Sequence, residues 1–376
     1  MKILLTGGGT AGHFYPLVAI AEELRRLAEE QKLLKPELFF MSTTPYDKTA
    51  LFENDITFKG VSAGKARIYF SLLNIIDILK VTIGIVRALI TVYLIYPDVV
   101  ISKGGYGSVP AVFAAKVLRI PLIVHESDTV PGRANMWASK FANRIAVSWP
   151  EAAAFFPQEK TAVTGHPVRR AVLETAQHGA HEYLHLEKDV PIIFILGGSQ
   201  GAQRINDMIL EILPRLLTTY QVIHQVGLSN SKEVKNVSSV VLAKSQYANR
   251  YKIFGYLNNL AMQMSAGVAT LVISRAGSTI FEIAAWGKPS ILIPITETNG
   301  DHQRKNAYAY AREGAAIVVE EKNMTSSVLF SEIERLMDDE PLRTKMQAAA
   351  REFFKPGAAE KIAQEAIRIA LGHEKQ

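Results

Sequence analysis

Three glycine-rich loops each follow a short apolar run: Gly7-Gly8-Gly9-Thr10-Ala11-Gly12-His13, Lys103-Gly104-Gly105-Tyr106-Gly107-Ser108 and Gly197-Gly198-Ser199-Gln200-Gly201-Ala202. Glycines at the end of a strand let the backbone approach a phosphate, and a helix starting just after them offers unpaired N–H groups and a partial positive charge. The first loop also fits the pattern G-x-G-x-x-G. A nicotinamide or flavin site, however, needs an acidic residue at the end of the second strand to hold the ribose. That run ends Met41-Ser42-Thr43-Thr44, with no carboxylate. Any one loop is explained by a turn alone. Three loops, split between two halves, suit two anionic ligands.

His13 stands at the start of a predicted helix, where the N–H dipoles disfavour its protonated form. A neutral imidazole there can take a proton from an attacking hydroxyl; it can also simply cap or pack the helix. Glu282 falls one turn into a helix that presents Ser278 and Thr279, where a carboxylate can accept both hydroxyls of a ribose. A capping box, in which Glu282 reciprocates a Ser278 or Thr279 cap, is the competing reading. The polar run Thr296–Asn306 follows an apolar strand and is dense in side chains that hydrogen-bond sugars and phosphates.

The elements that must position these residues alternate regularly. Apolar runs predict strands at 2–6, 37–42, 99–102, 122–125, 145–147, 192–196, 221–225, 270–274 and 291–294, with amphipathic helices between them, as at 17–27, 205–217 and 278–286. That alternation predicts an α/β fold of parallel sheets. The rhythm restarts at Ile193, after a polar stretch at about 168–190. Two doubly wound, Rossmann-like domains facing a cleft are therefore expected, with ligands at the strand C-termini. The division is placed at 1–166 and 167–357, and the helical segment 358–372 is free to pack on either half.

The 376 residues include no cysteine, which excludes disulfides, thiolate metal sites and cysteine nucleophiles. Met1–Thr6 runs straight into the first glycines and lacks the apolar core of a signal peptide, so a cytoplasmic protein is expected. The formal charge of +6 suits acidic partners. Between Lys59 and Arg144, eleven Lys/Arg face four acids, or +7. The most apolar stretch, 75–96, is broken by Asp77, Lys80 and Arg87, too often for a spanning helix.

In order and spacing, these segments resemble the MurG family of GT-B glycosyltransferases. The segments that carry the resemblance are the three loops, His125-Glu126 with Gly132-Arg133-Ala134-Asn135, Gly165-His166-Pro167-Val168-Arg169, Arg275–Gly287 and Asp301-His302-Gln303. The resemblance spans nearly the whole chain. It implies a GT-B fold and an inverting transfer of N-acetylglucosamine (GlcNAc) from UDP-GlcNAc to the 4-hydroxyl of N-acetylmuramic acid (MurNAc) in lipid I, forming a β-1,4 link. Ser199 and Gln200 would lie at the donor diphosphate with Arg169 nearby, and Leu257 at the uracil. Glu282, with Ser278 and Thr279, would hold the ribose, and Gln303 the GlcNAc hydroxyls. Thr10, Ala11, Gly12 and Asp128 would approach the donor from the other half, with His13 as candidate base. Gly104, Gly105, Tyr106 and Gly107 would cradle the acceptor diphosphate. No cofactor, metal site or nucleic-acid partner is implied.

The sequence departs from the family's pattern in places. Ala11 replaces a glycine, which should tighten the space and restrict φ. The family's His-Glu-Gln-Asn reads His125-Glu126-Ser127-Asp128, and its Gly-Asn-Pro reads Gly165-His166-Pro167. Phe70, Leu72, Leu73 and Ile76 lie among Lys59, Lys65, Arg67 and Lys80, the composition of a peripheral contact with an anionic leaflet. The expected location is thus the cytoplasmic face of the inner membrane. The alternatives are another GT-B enzyme with a different lipid acceptor, a UDP-GlcNAc 2-epimerase, and a nucleotide-sugar sensor without turnover.

Overall fold

The computed structural model describes residues 1–63, 73–198, 202–295 and 301–373, with side chains for all of these except 73–81 and 373. Phe70, Leu72, Ser199 and Gln200 lie outside the described residues, as do the side chains of Leu73 and Ile76. The chain forms two compact units, Met1–Arg169 with Lys355–Gln376, and Arg170–Phe354.

The first unit holds β1 (Lys2–Thr6), β2 (Glu37–Ser42), β3 (Ile56–Gly60), β4 (Val99–Ser102), β5 (Leu122–Glu126), β6 (Arg144–Val147) and β7 (Thr161–Val163), in the sheet order β3-β2-β1-β4-β5-β6-β7. The second holds β8 (Ile192–Leu196), β9 (Gln221–Gln225), β10 (Tyr251–Phe254), β11 (Leu271–Ser274), β12 (Ser290–Leu292) and β13 (Ala316–Val318), in the order β10-β9-β8-β11-β12-β13. Every described pairing is parallel. The inner strands are continuous apolar runs because helices cover both their faces: β4, β5, β8 and β11 are buried at every position.

Four strands were not expected from the sequence: β3, β7, β10 and β13. They are the two edges of each sheet and are partly exposed; β3, β7 and β10 lack a continuous apolar run, whereas β13 lies in the short apolar run Ala315–Val319, which was not read as a strand. The C-terminal helix Ala358–His373 returns to the first unit, where Ile362, Ala363, Ala366 and Ile367 share a core with Phe14, Leu17 and Leu24 of the first helix, Ala11–Glu30. Each isoleucine so buried stabilises that docking by about 2 kcal/mol.

In each sheet the strand order reverses once, between β1 and β4 and between β8 and β11. At such a switch point the loops leaving adjacent strands diverge to opposite faces and open a crevice. The glycine loops 7–12 and 103–108 leave β1 and β4; Gly197-Gly198 and the segment Arg275–Thr279 leave β8 and β11.

Candidate functional site

In the first unit the two loops pack on each other. Ser42 donates to the Gly7 carbonyl at 2.8 Å, and Lys103 N–H extends the ladder by donating to the Thr6 carbonyl at 2.9 Å. A Cβ on Gly107 would stand 2.9 Å from the Gly7 oxygen, and one on Gly105 would stand 3.0 Å from Gly8 Cα and 3.2 Å from His13 Nε2. Gly104 and Gly105 have φ of +84° and +79°, and a Cβ on Gly104 would fall 2.5 Å from Asn135 Oδ1. Only glycine fits both the backbone and the space. Tyr106 opens a short 3-10 turn that leads into the helix Val109–Val117.

His13 is in the first turn of its helix, with Nδ1 2.7 Å from Thr10 Oγ1. That contact occupies Nδ1 and leaves Nε2 on the side of Gly105. Burial, then the positive charge of Lys103, lower its pKa to about 4, while Asp128 opposes them. The ring is neutral near pH 7 as expected, but the leading causes are burial and a lysine, not the helix N-terminus. Thr10 serves this ring and does not cap the helix. Ala11 is an ordinary first helical residue, so the φ restriction its methyl was expected to impose does not arise.

Behind the loops lies a polar knot. The Glu126 carboxylate accepts from the backbone N–H of Ser127, Asp128 and Gly132 at 2.7, 2.9 and 3.0 Å, and from Asn135 Nδ2 at 2.9 Å. Burial and Asp128 push its pKa up, against Lys103 and these donors. Lys103 Nζ donates to Ser127 Oγ at 2.7 Å. His125 Nε2 and His166 Nδ1 each lie 3.2 Å from Ser148 Oγ, and burial holds both rings well below the usual histidine pKa. His166, a departure from the family's asparagine, is thus part of this buried network. Arg169 stacks on Tyr15, its guanidinium carbon 4.1 Å from the ring centroid.

In the second unit, Gly198 has φ +75°, and among the described residues nothing lies within 4 Å of a Cβ built there or on Gly277. The amphipathic helix Gln203–Leu216 follows this loop. Ser278 precedes the helix Thr279–Trp286 in a helical conformation and makes no capping bond. Ser278 is therefore not the cap of a capping box. Glu282 lies in the first turn, partly exposed beside Ser278 and Thr279 at the switch point. Arg275 pairs with Glu321 at 2.9 Å and donates to the Ile293 carbonyl at 3.1 Å, which fixes the turn. Leu257 is buried after β10. Gln303 begins the helix His302–Arg312, and its Oε1 accepts from Ile295 N–H at 3.2 Å.

The structure thus brings Thr10, Ala11, Gly12, His13, Gly104, Gly105, Tyr106 and Gly107 to one switch point and Ser278, Thr279 and Glu282 to the other. Sequence reasoning gave no role to Lys103. It also missed a stripe of exposed apolar side chains on the helix Leu73–Ile95: Ile83, Val86, Ile90, Tyr93 and Leu94, each at least half exposed. The signal was the i, i+3, i+7 spacing within the 75–96 run. Among the described residues, no helix is long and apolar enough to cross a membrane, and no group of three or more His, Cys, Asp or Glu is placed to hold a metal ion.

Residues 3–147 match the glycosyltransferase family 28 N-terminal domain, and residues 192–362 match the glycosyltransferase family 28 C-terminal domain. The chain belongs to glycosyltransferase family 28. A relative from Bacillus thuringiensis (strain Al Hakam) is 37% identical over 338 residues, 89% of this chain and 91% of its own. Its name is UDP-N-acetylglucosamine--N-acetylmuramyl-(pentapeptide) pyrophosphoryl-undecaprenol N-acetylglucosamine transferase 3. A Treponema denticola relative of the same name without the number is 33% identical over 364 residues, 93% of each chain. The crystal structure of Acinetobacter baumannii MurG superposes with a TM-score of 0.71 at 24% identity, over 98% of this chain and 99% of that one. The Staphylococcus aureus MnaA structure with UDP gives a TM-score of 0.71 at 16% identity, over 99% and 97%. These likenesses establish the GT-B fold of this family 28 enzyme: two Rossmann-like doubly wound units.

Proposed function

We propose that the chain transfers GlcNAc from UDP-GlcNAc to the 4-hydroxyl of MurNAc in lipid I, giving lipid II with inversion to a β-1,4 link. The observation that carries this reading is the pair of switch-point sites, one per unit, in a chain 33–37% identical over most of its length to transferases so named. The acceptor oxygen attacks C1 of the sugar, and the C1–O bond to UDP breaks. His13 Nε2 takes the hydroxyl proton, and N–H groups at the loops and helix N-termini receive the charge on departing UDP. In this reading the second unit binds the donor, with Ser199 and Gln200 at its diphosphate, Leu257 at the uracil, Ser278, Thr279 and Glu282 at the ribose and Gln303 at the sugar. The first unit binds the lipid-linked diphosphate at Gly104–Gly107, while Thr10, Ala11, Gly12, Asp128 and Arg169 approach the donor.

Contact with an anionic membrane at the cytoplasmic face is part of the same proposal. The apolar stripe on the helix Leu73–Ile95 supports it, in a region with an excess of cations. Changing Ile83, Val86 and Ile90 together to Ser is expected to abolish co-sedimentation with anionic vesicles while the fold persists; undiminished binding would remove the stripe from the account.

The functional test is transfer of labelled GlcNAc to a soluble lipid I analogue, with a diacylglycerol acceptor in parallel. Disaccharide on lipid I alone supports the reading. Product on the diacylglycerol, or release of UDP-ManNAc without transfer, would replace it.

A further inference from the structure

The helix Ala358–His373 covers only part of its side of the first sheet. Ile123 of β5 and Ala146 of β6 share a core with its Ile362. One strand further out, Ala162 is the register partner of Ala146, yet it is exposed. A parallel sheet of this kind ordinarily carries helices across both faces. Here the cover stops at β6, and β7 ends the sheet. Between the helix and β7 runs an open groove of about 660 Å³, and its lining includes Ile123, Ile145, Ala146, Ala162 and Ile362. The glycine loops leave the carboxyl ends of β1 and β4, whereas this groove takes in Arg144 and Lys160 at the amino ends of β6 and β7. It is no part of the switch-point crevice.

The banks of the groove are charged. On the helix, Lys361, Gln364, Glu365 and Arg368 recur at i, i+3, i+4 and i+7 and so share one face. On the sheet side stand Arg144 and Lys160. Glu365 ties the two banks together, accepting from Arg368 Nη2 at 2.6 Å and lying 2.7 Å from Arg144 Nε. It is the one carboxylate of the lining, against four cations. Lys160 and Lys361 have no ion-pair partner among the described residues. Such an excess attracts an anionic partner and repels a cationic one. A single phosphate or carboxylate head group is best held by cations that converge on it. The two that converge here, Arg144 and Arg368, already hold Glu365. Carboxylates spaced along a chain suit the remaining pair, one on each bank.

We propose that this groove docks an acidic amphipathic helix of a partner protein, laid beside Ala358–His373 over β6 and β7. Its apolar stripe lies on Ala162 and continues the cover that stops at Ala146. Glu or Asp residues flanking the stripe meet Lys160 on one side and Lys361 on the other. A helix is the element that such a sheet takes on either face, and neighbouring helices pack about 8–10 Å apart. Because the groove lies away from the glycine loops, docking leaves them open and joins a second protein to the enzyme. The inference does not depend on which acceptor the enzyme uses.

The probe is a fluorescein-labelled helical peptide of about 18 residues, with Leu and Ala on one face and Glu on the flanks, titrated with the full chain by fluorescence anisotropy. The controls are a scrambled peptide of the same composition and one with Lys in place of Glu. The Glu peptide should bind saturably, about tenfold or more tighter than either control, and should weaken as salt is raised. K160E/K361E should lower its affinity about tenfold or more. K59E, in the opposite edge strand β3, should leave it unchanged. A162Q, which alters no charge, should weaken it as well, since the apolar stripe then meets an amide. Circular dichroism checks that each variant is folded. Equal binding of the three peptides, or undiminished affinity in K160E/K361E, would overturn the proposal. So would co-sedimentation with dioleoylphosphatidylglycerol vesicles that K160E/K361E abolishes, which would give the groove to a membrane. A dimer of the chain that the same variant dissociates would overturn it too, giving the groove to a second copy.

Discussion

The two switch points are built from the same parts and differ in how tightly they are closed. In the first unit the glycine loops touch one another, and each added methyl would strike a named atom: Asn135 at Gly104, Gly8 and His13 at Gly105, the Gly7 oxygen at Gly107. Around them stand Lys103, Glu126, Asp128 and three neutral histidines. In the second unit the space beside Gly198 and Gly277 is open among the described residues, and Glu282 is the acid of the first helical turn. A closed loop with a charged shell behind it holds a proton acceptor in one geometry. An open loop at a helix N-terminus admits a ligand. The difference suits the proposed division, with the proton acceptor in the first unit and the donor in the second.

Acid should separate them most. A histidine kept neutral in the fold but free to protonate when unfolded makes stability rise with pH, so stability is lost as pH falls below about 6.5. Each such ring costs about 1.4 kcal/mol per pH unit while it stays neutral in the fold. The first unit carries three, His13, His125 and His166; the second carries His224, lowered to about 3 by burial. Hydrogen exchange between pH 6 and pH 5 should therefore show the first unit losing more than the second, at most about 4 kcal/mol from its three histidines, less what the raised pKa of Glu126 returns in the opposite direction, against about 1.4 for the second. Equal losses would erase the contrast.

Gly104→Ala should cost about 3 kcal/mol, since it combines a left-handed φ with a methyl against Asn135. Gly198→Ala should cost about 1 kcal/mol, for the backbone alone. Urea unfolding of the two variants measures both. Between these two in size, Glu282→Gln should weaken UDP-GlcNAc binding about tenfold by removing one charge-assisted hydrogen-bonding group, with kcat little changed. Calorimetric affinity beside initial rates checks that split.

How much of this was legible beforehand varied with burial. The nine strands expected from apolar runs are the interior ones, where helices on both faces favour apolar residues such as Val, Ile and Leu at their centres. The edges carry no such demand: Thr161–Val163 has two of its three residues exposed and left no run to read, while Ala316–Val318 lies in an apolar run that went unread because it is short. Glycine loops were legible because strand, turn and helix leave a local pattern. Lys103 was not, since burial of its side chain depends on Ser127, a loop away. Nor could the sequence show that Gln303 accepts from Ile295 or that Arg169 lies on Tyr15, both decided by packing.

The division of labour is tested most directly by one variant. His13→Ala should lower kcat for GlcNAc transfer to a lipid I analogue by at least about 100-fold, the size of a lost general base. Its affinity for UDP-GlcNAc should stay within about twofold of the parent, because the ring contributes little to donor binding. Near-normal turnover, or donor binding lost in step with turnover, would contradict the account.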